Sequence, residues 1–451
     1  MKFRGRRFSI SYFILEPPVK FGLRVFFRRY SATGMENIPP ANTPTIIIAN
    51  HQNGMMDPFM ACAFTPQQLH WLTRADVFKS PLAYKFLTSV NMLPIYRERD
   101  KVADKGDKNE AIFQECYDRI SNGNTVCLFP EGNHNHVKHL RMLKKGAARL
   151  AFGTMESKGR DLDVQIIPLG IEYGAFNLFR SDLLLNFGKP ISMQKYLAAY
   201  DKNPATAING SVQEMHTVLS DIIIDIKSPS LVDLCDNSRY ISTTVMLDKQ
   251  GKKASLQNEF LAYQTVVKKL IGLERDHQEK LDYLDTLSQE FRAACDKQGL
   301  RIDEHERATI KLGQHALFAM ALILLFPIAV LGIILNGIPA YLIHEFVKNK
   351  VNDIHFKSSI MFFLGIFTIP IFWLFEYLIF ALLLQNWIVA LLLFPSALLT
   401  AIGAINFWET WKILKAMAWI KKGIKGKDTS ALRANETRDE IYTAFSELIK
   451  L

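Results

Sequence analysis

The character of this chain changes abruptly after Gln314, beyond which three long stretches stop reading as part of a water-soluble core. Residues 316–335 carry no charge, residues 360–384 are apolar apart from Glu376, and after Gln385-Asn386 residues 387–405 are apolar again. A helix rises about 1.5 Å per residue, so each stretch is long enough to cross a bilayer core of about 30 Å. The two-residue connection predicts a hairpin of the last two segments. Trp408, Trp411 and Trp419 are available as interface anchors, and Glu376 should face protein or water. Lysines flank the hairpin on both sides (Lys348, Lys350 and Lys357 before it; Lys412, Lys415, Lys421, Lys422, Lys425 and Lys427 after it), which predicts both flanks on the cytoplasmic side. A fully crossing first segment conflicts with that if the N-terminal half is also cytoplasmic. Pro327 and the Asn336-Gly337-Ile338-Pro339 break therefore predict a bent, re-entrant first segment.

The 451 residues are enough for two or three domains, and the mix of 49% apolar with 22% charged residues suits neither a plain soluble enzyme nor a pure membrane bundle. A net charge of +10 calls for an anionic partner. No zinc-finger or RNA-recognition signature is present, so anionic membrane lipid is expected and nucleic acid is not. The five scattered cysteines, without a CxxC pair, read as reduced, mostly buried thiols. Lys2, Arg4, Arg6 and Arg7 before residues 10–15 mimic a signal peptide. Glu16-Pro17-Pro18 is expected to end that apolar run early, and no small-residue cleavage site is present, so residues 1–40 read as a basic interfacial segment. Residues 41–195 alternate strand and helix patterns, an α/β signature. Strands are predicted at 45–49, 125–129, 165–171 and 183–187, and helices at 81–90, 108–120 and 144–155. Residues 196–313 are helix-rich and of no evident chemistry, residues 314–407 hold the membrane segments, and residues 408–451 form a basic cytoplasmic tail.

Four clusters carry chemistry. The strand Ile46-Ile47-Ile48-Ala49 delivers His51, then a turn at Asn53-Gly54, then Asp57-Pro58 as cap and first helical residue. A bend at Gly54 would bring the Asp57 carboxylate onto the imidazole, giving a general base suited to a hydroxyl proton. The alternative is a strand-end histidine with an ordinary helix cap. In Leu93-Pro94-Ile95-Tyr96-Arg97-Glu98-Arg99-Asp100, Arg97 comes just after a short apolar run and suits bidentate phosphate recognition, or else belongs to a solvated charge run. Phe129-Pro130-Glu131-Gly132 ends a buried strand where α/β ligand sites form, with Glu131 able to hold hydroxyls and Gly132 allowing close backbone approach. Ile166-Ile167-Pro168-Leu169-Gly170 reads as an edge or kinked strand, lining an acyl groove or plain core. His134, His136 and His139 invite a metal reading. No cysteine completes a familiar tetrahedral set, and the expectation is a loop near an anionic ligand with no metal.

In order and spacing these four blocks resemble those of the glycerolipid acyltransferases over about residues 30–190. Five residues rather than four separate His51 from Asp57, and Asn133-His134 replaces the usual Thr-Arg. Both departures look like the fungal-type glycerol-3-phosphate/dihydroxyacetone-phosphate acyltransferases, as do Met142-Leu143-Lys144-Lys145-Gly146-Ala147 and Phe179-Arg180-Ser181. The resemblance implies an α/β, glycerolipid-acyltransferase-like catalytic domain, followed by a helical region and C-terminal transmembrane helices. It implies acyl transfer from acyl-CoA or acyl carrier protein, as co-substrate and without a cofactor, to glycerol-3-phosphate or dihydroxyacetone phosphate. His51 and Asp57 would be catalytic, Arg97 would hold the phosphate with Lys145 and Arg180 as helpers, and Glu131 and Gly132 would position the glycerol. Amides at the start of the helix by Pro58 would receive the oxyanion. Lysophosphatidate remains an alternative acceptor, and a catalytically inert lipid-binding membrane protein is the rival of another class. The expected location is the membrane, with the catalytic domain on its cytoplasmic face.

Overall fold

The computed structural model describes residues 7–97 and 104–450. Lys2, Arg4 and Arg6 of the basic N-terminus, and Glu98, Arg99 and Asp100 of the arginine cluster, lie outside the described residues. The chain divides into two compact units, residues 1–225 with 353–362, and residues 226–352 with 363–451.

The first unit is built on a mixed sheet whose strand order is β1-β7-β6-β2-β5-β3-β4. The strands are β1 (Arg29–Thr33), β2 (Thr45–Ala49), β3 (Leu69–Arg74), β4 (Met92–Ile95), β5 (Thr125–Leu128), β6 (Gln165–Tyr173) and β7 (Asp182–Phe187), with β8 (Ile191–Ser192) alongside β6. All neighbours run parallel except β7 and β8, which lie antiparallel to β6. Helices α1 (Ile10–Phe26), α2 (Met56–Phe64), α3 (Pro81–Ser89), α4 (Lys105–Ser121), α5 (Gly146–Lys158), α6 (Leu197–Lys202) and α7 (Pro204–Asp221) complete the unit. Ile46 and Ile48 of β2 pack with Val126, Leu128 and Ile166 in a core that includes Ala147, Leu150 and Ala151 of α5 and Met215 and Leu219 of α7. Every residue of β2 and β5 is buried, which explains their continuous apolar runs.

Three sequence expectations are corrected here. Residues 1–40 are not merely interfacial: β1 pairs with β7, and Arg28 and Arg29 both grip Asp182. Burial alone would raise the Asp182 carboxyl, but hydrogen bonds from Arg29 and Arg28 hold it down to about 2. Glu16-Pro17-Pro18 does not end the first helix; α1 runs through both prolines, capped by Ser9 and anchored by buried Tyr12, Leu23 and Phe26. Pro168 lies in an interior strand, flanked by β2 and β7. It falls between the β8 pairing at residues 165–166 and the β7 pairing that begins at Leu169, where the regular ladder is interrupted, and its carbonyl accepts from Gly188.

The second unit is helical, comprising α8 (Val232–Gln250), α9 (Leu256–Leu273), α10 (Gln278–Lys297), α11 (Ile302–Ile310), α12 (His315–Lys350), most of α13 (Ile354–Leu384), α14 (Trp387–Ile424) and α15 (Thr429–Leu448). Among the described residues three helices, spanning Leu312–Lys350, Ile354–Leu384 and Trp387–Ile424, are long and apolar enough to cross a membrane. The expected break in the first is absent. α12 is one continuous helix through Pro327 and Pro339, and Asn336 is satisfied by the Gly332 and Ala397 carbonyls and the Trp373 indole. Its extended packing partner is α14, running antiparallel, with Gly332 against the Thr400 backbone and Gly403 against Ile328. Small residues let the two backbones approach closely, which in lipid is a main source of helix association. The tail is not a free extension either: α15 packs on α8 and α10, and Arg438 grips Glu306 while Lys412 of α14 grips Glu304.

Candidate active site

The site lies along the C-terminal ends of the parallel strands, where α/β sheets place ligands. β2 runs into Asn50-His51, β5 into Phe129-Pro130-Glu131-Gly132, β4 into Tyr96-Arg97 and β3 into Arg74-Ala75-Asp76. His51 Nδ1 lies 2.8 Å from Asp57 Oδ2. That oxygen also accepts the Gln52 and Asn53 amides at 2.9 Å each, while Oδ1 accepts the Tyr173 hydroxyl at 2.6 Å. Asp57 is fully buried. The loop of the box wraps its Gln52 and Asn53 amides around the carboxylate, and the helix starts two residues earlier than expected, at Met56. Met55, not Asp57, is its cap residue, and the Asn53 side-chain oxygen accepts the Met56 amide at 3.3 Å. Burial first, and the Asp57 charge second, push the Tyr173 hydroxyl well above its ordinary value, so it stays a donor.

The His51 ring stacks on Phe129, centres 4.0 Å apart, and meets His134 edge-on at 5.6 Å. With Nδ1 committed to Asp57, Nε2 is the nitrogen left for a substrate hydroxyl. Burial, then the nearby His51 and His355 rings, lower the His134 pKa.

Glu131 is tied into the same frame. Its Oε1 accepts the His51 amide at 2.8 Å and its Oε2 accepts Arg141 Nε at 2.7 Å. Arg141 also bonds Asn133, and the Asn135 amide returns to the His51 carbonyl at 3.0 Å, so two strand-end loops hold each other. Gly132 adopts φ +82°, and a Cβ there would collide with Lys144 Nζ. Lys144 is thus the lysine over this glycine, whereas Lys145 is the exposed residue that precedes α5. Arg97 is on the same rim, its guanidinium 3.2 Å from Asp76 and mostly buried. With strands about 4.8 Å apart, the three-strand step from β2 to β4 is roughly 14 Å, a gap for an arginine side chain and a small phosphate ester to bridge. Arg180 points elsewhere: it bonds the Val25 and Phe27 carbonyls and, at φ +59°, closes the end of α1. The oxyanion donors expected at the start of α2 are already used, since the Met56 and Asp57 amides bond Asn53 and Pro58 has none.

Residues 353–362 also belong to this unit and press on the box. The Gly54 amide bonds the His355 carbonyl, Asn53 bonds Ser358 and the Phe176 carbonyl, and a Cβ on Gly54 would strike Phe356. No motif marks this segment, which lies some three hundred residues downstream of the box. Tyr173 and Arg141 were not expected in the site either, though Tyr173 ends β6, the strand that carries the Pro168 cluster.

Residues 29–172, which contain this rim, match the family described as Acyltransferase. That match covers this domain and not the rest of the chain. The chain is 35% identical over 106 residues, 24% of this chain and 14% of the relative, to glycerol-3-phosphate O-acyltransferase 1 of Saccharomyces cerevisiae. It is 26% identical over 211 residues, 44% of this chain and 76% of the relative, to a 1-acyl-sn-glycerol-3-phosphate acyltransferase of Borreliella burgdorferi. Among solved structures it is similar to a 1-acyl-sn-glycerophosphate acyltransferase from Thermotoga maritima, with 18% identity and a TM-score of 0.32 over 47% of this chain and 82% of that one. The chain spans 14%, 18% and 16% of the length of three fungal relatives that it matches.

Proposed function

We propose that this protein is a membrane-bound O-acyltransferase of phospholipid synthesis. It would move a fatty acyl group from acyl-CoA or acyl carrier protein to a hydroxyl of glycerol-3-phosphate or dihydroxyacetone phosphate. The observation that carries the reading is the His51–Asp57 pair, 2.8 Å apart at the end of β2, with Arg97 on the same rim. His51 Nε2 takes the hydroxyl proton as the oxygen attacks the thioester carbonyl, and Asp57 fixes the tautomer and stabilises the imidazolium. The proton then passes to the departing thiolate, and no acyl-enzyme is needed. Arg97, with Lys144 or Lys145, holds the acceptor phosphate, and Gly132 gives the glycerol close access to the backbone. The three long apolar helices and the net charge of +10 support catalysis at an anionic bilayer, with the first unit on its cytoplasmic face.

A lysophosphatidate acceptor is a second reading, favoured by the long match to the Borreliella burgdorferi relative. The inert lipid-binding reading is opposed by the presence of His51, Asp57, Arg97 and Glu131 together. Membranes containing the protein are to be incubated with acyl-CoA and labelled glycerol-3-phosphate, dihydroxyacetone phosphate or lysophosphatidate. One acceptor should be acylated, and His51→Ala should cut kcat by about a thousandfold while membrane recovery is unchanged. Arg97→Ala should raise the acceptor KM about tenfold or more. Near-normal turnover of His51→Ala rejects the base, and a change confined to the donor KM rejects the phosphate role.

A further inference from the structure

Acyl transfer makes no use of the imidazoles that come after Gly132, yet the fold gathers them. His139 turns away to Asp225, at 2.8 Å. His134 instead meets residues from far downstream: its Nε2 is 3.9 Å from Asp353 Oδ2, and its ring centre is 4.8 Å from that of His355. Asp353 Oδ1 lies 2.7 Å from His355 Nδ1, and His355 Nε2 faces His136 Nδ1 at 3.1 Å. One donor atom from each of His134, Asp353 and His355 lies within 4.8 Å of the others.

The geometry points to a binding site for one divalent transition-metal ion, of the zinc type, held by His134, Asp353 and His355. Two imidazoles on one tetrahedral zinc, with Zn–N about 2.0 Å, have ring centres about 5 Å apart. The His134–His355 and His136–His355 centres are 4.8 and 5.2 Å apart. Imidazole with carboxylate suits zinc better than magnesium or calcium, which prefer all-oxygen shells. His136 Nδ1, 3.1 Å from His355 Nε2, is the neighbouring imidazole that would serve as a fourth ligand. The ion would staple the histidine loop to the start of α13, two segments already joined to the box by the Asn135–His51 and Gly54–His355 backbone bonds. Its role is to hold His134 against the His51 ring, not to touch substrate, so the site stands or falls independently of acyl transfer.

The test uses the full chain in detergent, purified through a tag without histidines, stripped with chelator and then given Zn²⁺ or Co²⁺ alone. The wild type should retain one zinc per chain by elemental analysis, show a visible Co²⁺ band, and melt at a higher temperature with zinc. His134→Ala and His355→Ala should lose stoichiometric metal. Asp353→Asn, which keeps the side chain's shape but removes the anionic ligand, should weaken zinc binding. His139→Ala should bind as the wild type does. Failure of the wild type to hold one metal, or undiminished binding by the His134, Asp353 or His355 variants, overturns the proposal.

Discussion

Asp57 shows how little room the catalytic frame leaves at the level of single residues. Four donors converge on one buried carboxylate, and only one of them, the His51 ring, is visible in a histidine–aspartate spacing. Glu131 illustrates a role that spacing misdescribes. Its motif suggests a hydroxyl-binding group, but its oxygens hold the His51 amide and the Arg141 guanidinium. A residue that positions the base should affect turnover more than acceptor binding. Glu131→Gln is therefore expected to lower kcat about tenfold or more while leaving the acceptor KM within a factor of about two. A rise in acceptor KM with kcat preserved would restore the hydroxyl-binding role. Arg180 carries the same lesson: its motif neighbours pointed to phosphate, while the αL backbone directs it to the end of α1.

Among the elements, the buried strands were legible because burial on both faces needs unbroken apolar runs. The runs at 46–49 and 126–128 have that form, and 183–187 has it apart from Asn186. β1 and β3 were not. Arg-Tyr-Ser-Ala-Thr and Leu-His-Trp-Leu-Thr-Arg mix polar with apolar residues, and their strand state comes from a neighbour's backbone. Proline was overread as a breaker in α1 and α12, where packing outweighs the lost backbone bond. The α12–α14 seam rests on shape instead. Gly332→Leu would drive a side chain into the Thr400 carbonyl, so it should lower the thermal midpoint in detergent by several degrees and reduce monodisperse yield. Gly337→Leu, on the same helix where only an Ile333 methyl is near, should be close to neutral. Equal damage from both would mean that close approach at Gly332 is not what holds the pair.

Across the full chain, the two units are drawn by contacts that no linear boundary predicts, since residues 353–362 join the first unit and α15 packs back on α8 and α10. Trp419, expected as an interface anchor, is buried edge-on to His305. Burial, then the Arg438 charge, lower the His305 pKa to about 4. An unfolded histidine titrates near 6.5, so between about 6.5 and 4 the unfolded chain binds a proton that the folded one refuses. This contribution to stability is present above about pH 6.5 and is lost as the pH falls toward 4, by about 3 kcal/mol in all. The melting temperature of the full chain should fall over that window, and His305→Phe should flatten the slope. An unchanged slope would assign the acid sensitivity elsewhere.

Features with a local or periodic signature were readable from the order of residues: the membrane-length helices, the buried strands, and the four motif blocks with their order. Which motif groups meet was settled in three dimensions, because convergence at a sheet edge depends on strand order and on backbone hydrogen bonds between distant loops. The pairing of His134 with Asp353 and His355 is of that second kind, since at least 219 positions of chain separate them and no spacing rule reaches so far.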